Sequence, residues 1–538
     1  MLSALALTAC NDDNFTGDPA KEITGYFAAT EDNGFSTYYK PALGRVGDPM
    51  PFYDQQAGNY KVMYLQEYDN NRPYRFHPIW AIETSDGANY RDLGEWLPTG
   101  GTDGEQDAAL GTGCCYYNKT DNLYYIYYTG HNGSLANVEA VMRATSPDLK
   151  TWTKDNLWTL YGKDHGYSTE DFRDPQIFEE GGKYHMIIAT RPITGGDPCF
   201  AEFISTDLKN WEKGERIKMI WDRFLECPDI FQMGNKWYCV YSESFKASWS
   251  RKVKYMMADS WEGLKQCFND GPKWPEFARE GVLDTRAFYA GKTAGHGDER
   301  YIWGWCPTRP NGDNSNVGAG DGNEPSWSGA LVCHKVAQDA NGLLYLTAVP
   351  AMAAKYNQPA EANVIATGDN DTQYRGLYQN YTMYSRLGQH NHISFTVKTA
   401  SADDKFGVSF GRSTENVYGT TLRINNPHWD ASWNDEKKDL ARVEFFVEKQ
   451  VEIIDRVTDK PMKVDSSVFI EGAEGNFYPR PADNTYHIDI YTDNSVVVMY
   501  INGTSCFTSR IYGAAMNHWS INTISGNITV SDLSVTTY

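Results

Sequence analysis

The chain has 538 residues, enough for two all-β domains with sizeable cores. Its formal net charge of -21 argues against nucleic acid and against an anionic membrane surface as partners. Aromatic residues make up 14%, with 16 Trp and 36 Tyr, so aromatic faces suited to stacking on sugar rings are expected beside those in the core.

Residues 1–10 (MLSALALTAC) are apolar and lack the basic stretch of a full signal peptide, so they read as the tail of a longer leader. Leu7-Thr8-Ala9-Cys10 resembles a bacterial lipobox, with Cys10 the lipidated residue. Asn11-Asp12-Asp13 resembles the acidic run behind the lipid cysteine in surface-exposed lipoproteins of the Bacteroidetes. That implies a lipid anchor as the only membrane contact and an outer-membrane, surface-exposed location. Residues 11–40 are polar, with little periodicity, and read as a tether.

Residues 41–348 carry an internal repeat. Apolar strands are expected at Tyr60–Gln66, Leu123–Tyr128, Lys183–Thr190, Lys236–Ser242 and Arg300–Trp305, starting 63, 60, 53 and 64 residues apart. Each of the first three is followed by a Ser/Thr-Asp turn and an aromatic: Thr84-Ser85-Asp86 with Tyr90, Ser146-Pro147-Asp148 with Trp152, Ser205-Thr206-Asp207 with Trp211. Ala258-Asp259-Ser260-Trp261 reads as a degenerate copy after the fourth. Five copies of strand and turn without an intervening helix predict a five-bladed β-propeller. Its inner strands line a central channel, with Asp48, Thr112, Asp174, Glu226 and Asp284 at their starts. Residues 349–359 read as a linker. Residues 360–538 show alternating strands, such as His392–Val397 and Val496–Ile501, with turns at Asp493-Asn494 and Asn502-Gly503. They predict a β-sandwich, making the whole chain all-β.

The chemistry is expected where the repeat places an acid beside a proline: Gly47-Asp48-Pro49, Arg173-Asp174-Pro175 and Glu226-Cys227-Pro228. Proline lacks a backbone donor and suits a strand's first residue. Two carboxylates flanking a glycosidic bond are the minimum for hydrolysis, one attacking or directing water and the other donating a proton. Glu226, between Leu225 and Cys227, is expected in an apolar setting that favours the protonated form. Arg173 is expected to keep Asp174 ionised and to fork onto sugar hydroxyls. Asp284 either orients Arg286 or binds substrate, and Trp80 and Trp305 are core residues or subsite walls. No phosphate loop, G-x-S-x-G elbow or H-E-x-x-H motif occurs, and no C-x-x-C pair suggests zinc, so neither cofactor nor metal is expected. The cysteines read as small buried apolar residues.

At these motifs the chain resembles glycoside hydrolase family 32, the β-fructosidases, over nearly all of its length beyond residue 40. Arg173-Asp174-Pro175 and Glu226-Cys227-Pro228-Asp229 match the family's R-D-P and E-C motifs, and Gly47-Asp48-Pro49 is what remains of its W-M-N-D-P-N-G. The resemblance implies a retaining mechanism with Asp48 as nucleophile, Asp174 as transition-state stabiliser and Glu226 as acid/base, the carboxyls of Asp48 and Glu226 about 5–5.5 Å apart. Weaker matches imply sugar contacts from Gln66, Thr112 and Trp305. Val498 stands where the family has a Glu. A surface anchor suits cleavage of a polymer outside the cell, so the substrate is expected to be a fructan, levan foremost, cut internally. An exo-acting fructosidase, a fructosyltransferase, an inverting arabinan or xylan hydrolase and a glycan-binding protein without turnover are the alternatives. The complete acid triad disfavours the last.

Overall fold

The computed structural model describes residues 35–68, 77–219, 224–244, 252–270, 281–308, 327–369, 378–412, 419–427, 440–470 and 477–538. It is a β-propeller followed by a β-sandwich, as the strand pattern implies. Cys10 and residues 11–34 lie outside the described residues.

Five antiparallel units follow one another. Unit I comprises 45–54, 59–67, 79–84 and 91–97; unit II comprises 109–118, 123–131, 139–146 and 153–160. Unit III is built from 167–180, 183–192, 199–205 and 212–218, and unit IV from 224–233, 236–244 and 252–258. Unit V holds 289–296, 299–307, 329–338 and 344–347. The first strand of each unit contacts the first strand of the next, and the fifth contacts the first, so the five inner strands close a ring.

The recurring Ser/Thr-Asp turns are real. Asp86, Asp148 and Asp207 each accept two backbone N–H groups with Oδ1, from residues 88 and 89, 150 and 151, and 209 and 210. The fourth copy differs. Ser260 receives the Gly263 N–H at 3.0 Å and starts the helix Trp261–Asp270, which stands where the other units have a fourth strand. Trp261 still fills its aromatic position in the core.

The acid–proline motifs sit inside the inner strands, not at their starts. Each inner strand carries a β-bulge: at residues 48–49, 112, 174–175, 227–228 and 290–291. A bulge leaves residues out of the ladder, which is why proline is tolerated there, and it re-aims the side chains beside it. Asp174, Cys227 and Ala290 hold left-handed φ values of 61°, 51° and 52° at these bulges.

The sandwich has two sheets. One runs 358–360, 528–537, 390–399, 485–493, 496–501 and 505–510; the other runs 364–369, 380–384, 518–525, 405–412, 420–427, 440–455 and 460–470. Strand Val496–Ile501 is buried along its whole length because it serves two cores. Val497, Met499 and Ile501 face the sandwich interior, while Val496, Val498 and Tyr500 join the propeller's cluster. A carboxylate in place of Val498 would be buried in that cluster at high cost.

Residues 35–40 belong to the folded body and not to a tether. The backbone N–H groups of Ser36, Thr37 and Tyr38 all donate to Asp493 Oδ2, at 2.9, 2.6 and 2.8 Å. The nine described cysteines are free thiols, and all but Cys267 are buried.

Candidate active site

Asp48, Asp174 and Glu226 come together at one end of the ring. Asp48 is held by two donors from neighbouring units: Thr112 Oγ1 to Oδ2 at 2.7 Å, and Trp305 Nε1 to Oδ1 at 2.9 Å. Both oxygens therefore have fixed directions, as a nucleophile requires. The Trp327 ring lies against Gly47, where an added Cβ would sit 2.2 Å from it. The His77 ring lies tilted against that indole at 4.6 Å and Trp305 stands 6.3 Å away, giving an aromatic wall beside Asp48.

Asp174 is buried. Its Oδ2 accepts the Cys227 N–H at 2.8 Å, and its own N–H donates to Thr129 Oγ1 at 3.0 Å. Burial pushes its carboxyl up to about 7; Arg173 and the Cys227 N–H act against the shift, and Glu226 and Asp48 add to it. The expectation that Arg173 keeps Asp174 ionised is thus corrected: desolvation outweighs the guanidinium.

The expected apolar setting of Glu226 is also corrected. Leu225 packs into the propeller core and Cys227 is buried against Tyr289 and Trp305, whereas the Glu226 carboxyl is partly exposed and bonded to polar partners. Its Oε1 accepts Arg173 Nη2 at 3.1 Å and its Oε2 accepts the Tyr289 hydroxyl at 2.8 Å. Arg173 has no fork left for a sugar. Its Nη1 binds Asp171 at 2.7 Å and Glu139 at 3.2 Å, and its guanidinium lies 4.2 Å over the Phe224 ring. Burial works against its charge, but Glu139, Glu226 and Asp174 hold its pKa well above the ordinary value. It positions Glu226.

The other candidates divide. Thr112 and Trp305 touch the nucleophile. Gln66 is buried, its amide Nε2 donating to the Leu43 carbonyl while Oε1 has no protein partner, which leaves an acceptor for a ligand hydroxyl. Trp80 lies on the third strand of unit I, two strands out from the axis, and packs against the core cluster. Asp284 precedes the inner strand of unit V, whose bulge falls six residues later at Ala290, so it does not share the phase of the acids. It is fully buried against the sandwich, accepting Thr508 N at 2.8 Å, Thr508 Oγ1 at 2.5 Å and Thr285 N at 2.6 Å. Neither Trp80 nor Asp284 contacts the acids.

Tyr289, Thr129, Glu139 and Trp327 were missed by the sequence reading. Tyr289 directly precedes the fifth bulge, as Glu226 precedes the fourth, so aligning bulges and not acids would have found it. Thr129 lies on a second strand, and Glu139 and Trp327 lie at or just before the starts of third strands; none of them leaves such a signal.

Asp284, His334 and Cys506 also converge, with His334 Nε2 3.2 Å from Asp284 Oδ2. Cys506 Sγ lies 3.6 Å from His334 Nδ1 and 3.8 Å from Nε2, nearly equidistant from both. A metal on either nitrogen would lie along that nitrogen's lone pair, away from the other, so this thiol does not share a coordination point with the imidazole. His334 Nδ1 pairs with the Tyr500 hydroxyl at 2.8 Å, completing a hydrogen-bonded cluster.

Comparison with known proteins adds to this geometry. The model described as "Glycosyl hydrolases family 32 N-terminal domain" matches residues 39–338, and "GH32, BT1760-like, C-terminal domain" matches residues 342–535. Sucrose-6-phosphate hydrolase of Staphylococcus xylosus is 25% identical over 205 residues, 36% of this chain and 39% of its own. That of Zymomonas mobilis is 28% identical over 237 residues, 39% of this chain and 42% of its own. The chain thus spans about two fifths of the length of these relatives. Among solved structures, the Bombyx mori beta-fructofuranosidase matches with a TM-score of 0.64 at 16% identity, over 96% of this chain and 97% of its own. Fructan 1-exohydrolase IIa from Cichorium intybus matches with a TM-score of 0.63 at 15% identity, over 94% and 98%. At these identities the structures speak for the fold.

Proposed function

This chain belongs to glycoside hydrolase family 32, and from that premise we propose that it hydrolyses β-fructosidic linkages in fructans with retention of configuration. The observation that carries the reading is the contrast between two carboxylates. Asp48 is fixed at both oxygens by neutral donors, as suits attack on the anomeric carbon. Glu226 is partly exposed, oriented by Arg173 and Tyr289, as suits proton exchange with a leaving oxygen and then with water. In the first step an Asp48 oxygen bonds to C2 of a fructosyl unit while the C2–O bond breaks and Glu226 gives its proton to the departing oxygen. In the second, Glu226 takes a proton from water, whose oxygen displaces Asp48. In this reading Asp174 receives fructose hydroxyls, and Gln66 Oε1, which has no protein partner, is a further acceptor.

Levan is the proposed polymer, cut internally at the cell surface, with lipidation of Cys10 as the anchor. The acidic surface suits a neutral glycan. The test is a time course of products from levan, inulin and sucrose, with Glu226→Gln as control. Early oligosaccharides from levan alone, absent with Glu226→Gln, bear the proposal out. Fructose as the sole early product makes the enzyme exo-acting, and inactivity on all three overturns the fructan reading.

A further inference from the structure

We propose that the sandwich strand Ser505–Arg510 is a clamp that sets the positions of both catalytic carboxylates, making Thr508 and Arg510 positioning residues for the reaction. The inference rests on two chains of contacts that start in the sandwich and end at different acids.

The first runs through Arg510, which is almost wholly buried. Its Nη2 donates to the Cys306 carbonyl at 2.8 Å and its Nε to the Pro307 carbonyl at 3.0 Å, while Nη1 holds Ser495 Oγ at 2.9 Å. Cys306 and Pro307 end the propeller strand Glu299–Pro307. The residue before them is Trp305, whose indole N–H fixes Asp48 Oδ1. A guanidinium spanning two successive carbonyls fixes the direction of that strand end, and with it the indole.

The second runs through Thr508. Its carbonyl accepts Thr285 Oγ1 at 2.5 Å, its N–H donates to Asp284 Oδ1 at 2.8 Å and its hydroxyl donates to Asp284 Oδ2 at 2.5 Å. Asp284 and Thr285 sit at the base of the turn leading to Tyr289, and Phe288 N closes that turn on the Thr285 carbonyl at 3.2 Å. Tyr289 orients Glu226 Oε2. One short strand of the second domain therefore braces the donors of the nucleophile and of the acid/base at once. Reacting groups must be held to within a fraction of an ångström, and about 1 Å of misplacement costs on the order of 100-fold in rate. The contacts are buried polar ones, so their geometry is enforced: leaving any one unmade exposes nothing to water and strands its partner.

The test uses the full chain with Arg510→Met, Thr508→Val and Thr508→Ser. Asn522→Ala is the control, since it breaks an equally buried contact of the sandwich, Nδ2 to Ser409 Oγ at 2.6 Å, in the sheet that does not contain the strand Ser505–Arg510. Crystal structures of Arg510→Met and Thr508→Val read the Trp305–Asp48 and Tyr289–Glu226 hydrogen bonds without any substrate, and the clamp requires one of the two bonds to lengthen beyond bonding distance in each. Kinetics below the melting temperature give the second readout. Arg510→Met and Thr508→Val lose about 10-fold or more in kcat with KM within about 2-fold, and Thr508→Ser recovers most of it. Asn522→Ala lowers the melting temperature and leaves kcat unchanged. Intact Trp305–Asp48 and Tyr289–Glu226 bonds in either variant, or an equal loss of kcat in Asn522→Ala, overturns the proposal. A wild type inactive on fructans refutes the activity and leaves the crystallographic comparison to decide the clamp.

Discussion

Asp174→Asn should make this protein more stable, and more so as pH rises. The native carboxyl titrates at about 7, against an ordinary 3.8. Between those values the native state binds more protons than the unfolded chain, so stability falls as pH rises through the interval. Above it, with both states ionised, the buried charge costs about 4 kcal/mol, at about 1.36 kcal/mol per tenfold difference in proton affinity. Asparagine is neutral, tolerates the left-handed backbone at φ 61° and keeps an oxygen to accept the Cys227 N–H. It loses the attraction of Arg173 along with the repulsion from Glu226 and Asp48, so about half of that figure, roughly 2 kcal/mol, is expected at pH 8. Thermal unfolding followed by tryptophan fluorescence should place the variant at least ~3 °C above wild type at about pH 8 and level with it at about pH 4. Turnover should fall by more than about 100-fold, because the group that meets the developing charge is gone. A variant less stable than wild type at pH 8, or an advantage that does not change with pH, would refute the reasoning.

Three further substitutions probe the same site. Thr112→Val leaves Asp48, among the described residues, with Trp305 as its one side-chain donor, and kcat should drop about 10-fold with an unchanged melting temperature. Gly47→Ala places a methyl 2.2 Å from the Trp327 ring and must displace that indole; KM for a polymer should rise more than KM for sucrose if Trp327 is a stacking wall. Arg173→Lys supplies a point charge where a fork spans Asp171, Glu139 and Glu226, and kcat should fall about 10-fold or more with circular dichroism unchanged.

The fold was legible because repeats and alternation are local patterns. Ser205-Thr206-Asp207 announces its turn whatever surrounds it, since its bonds are to its own backbone. The helix after unit IV was not legible: Ser260 serves equally as a turn residue and as a helix cap, and tertiary context chooses. The three acids were legible as motifs, but their backbone setting was misread. Asp48-Pro49 and Asp174-Pro175 looked like strand starts, yet a bulge tolerates proline in mid-strand. Asp284 failed for the same reason, because its phase was judged by the spacing of acids while the ladder sets phase by its bulges. The electrostatics were misread because burial does not show in a motif. Arg173 does attract Asp174, yet desolvation outweighs it, and Leu225 packs into the propeller core while Glu226 stays partly exposed beside Arg173 and Tyr289.

The ring explains why the site needs every unit although only three supply an acid. Asp48 of unit I takes its donors from Thr112 of unit II and Trp305 of unit V. Asp174 of unit III gives its N–H to Thr129 of unit II and takes the Cys227 N–H of unit IV. Glu226 of unit IV is held by Arg173 of unit III and Tyr289 of unit V. Each acid is thus bonded to two units, and no unit holds its own acid. An acid on an isolated antiparallel sheet would have water for its partners; here the partners exist only once the ring has closed. The left-handed backbone at Asp174 and Cys227 belongs to the same logic, since bulges that turn a side chain toward the axis are stable only where a neighbouring unit meets that side chain or its N–H. The active site is therefore a property of closure, and what loosens the closing units, I and V, reaches Asp48 and Glu226 through Trp305 and Tyr289.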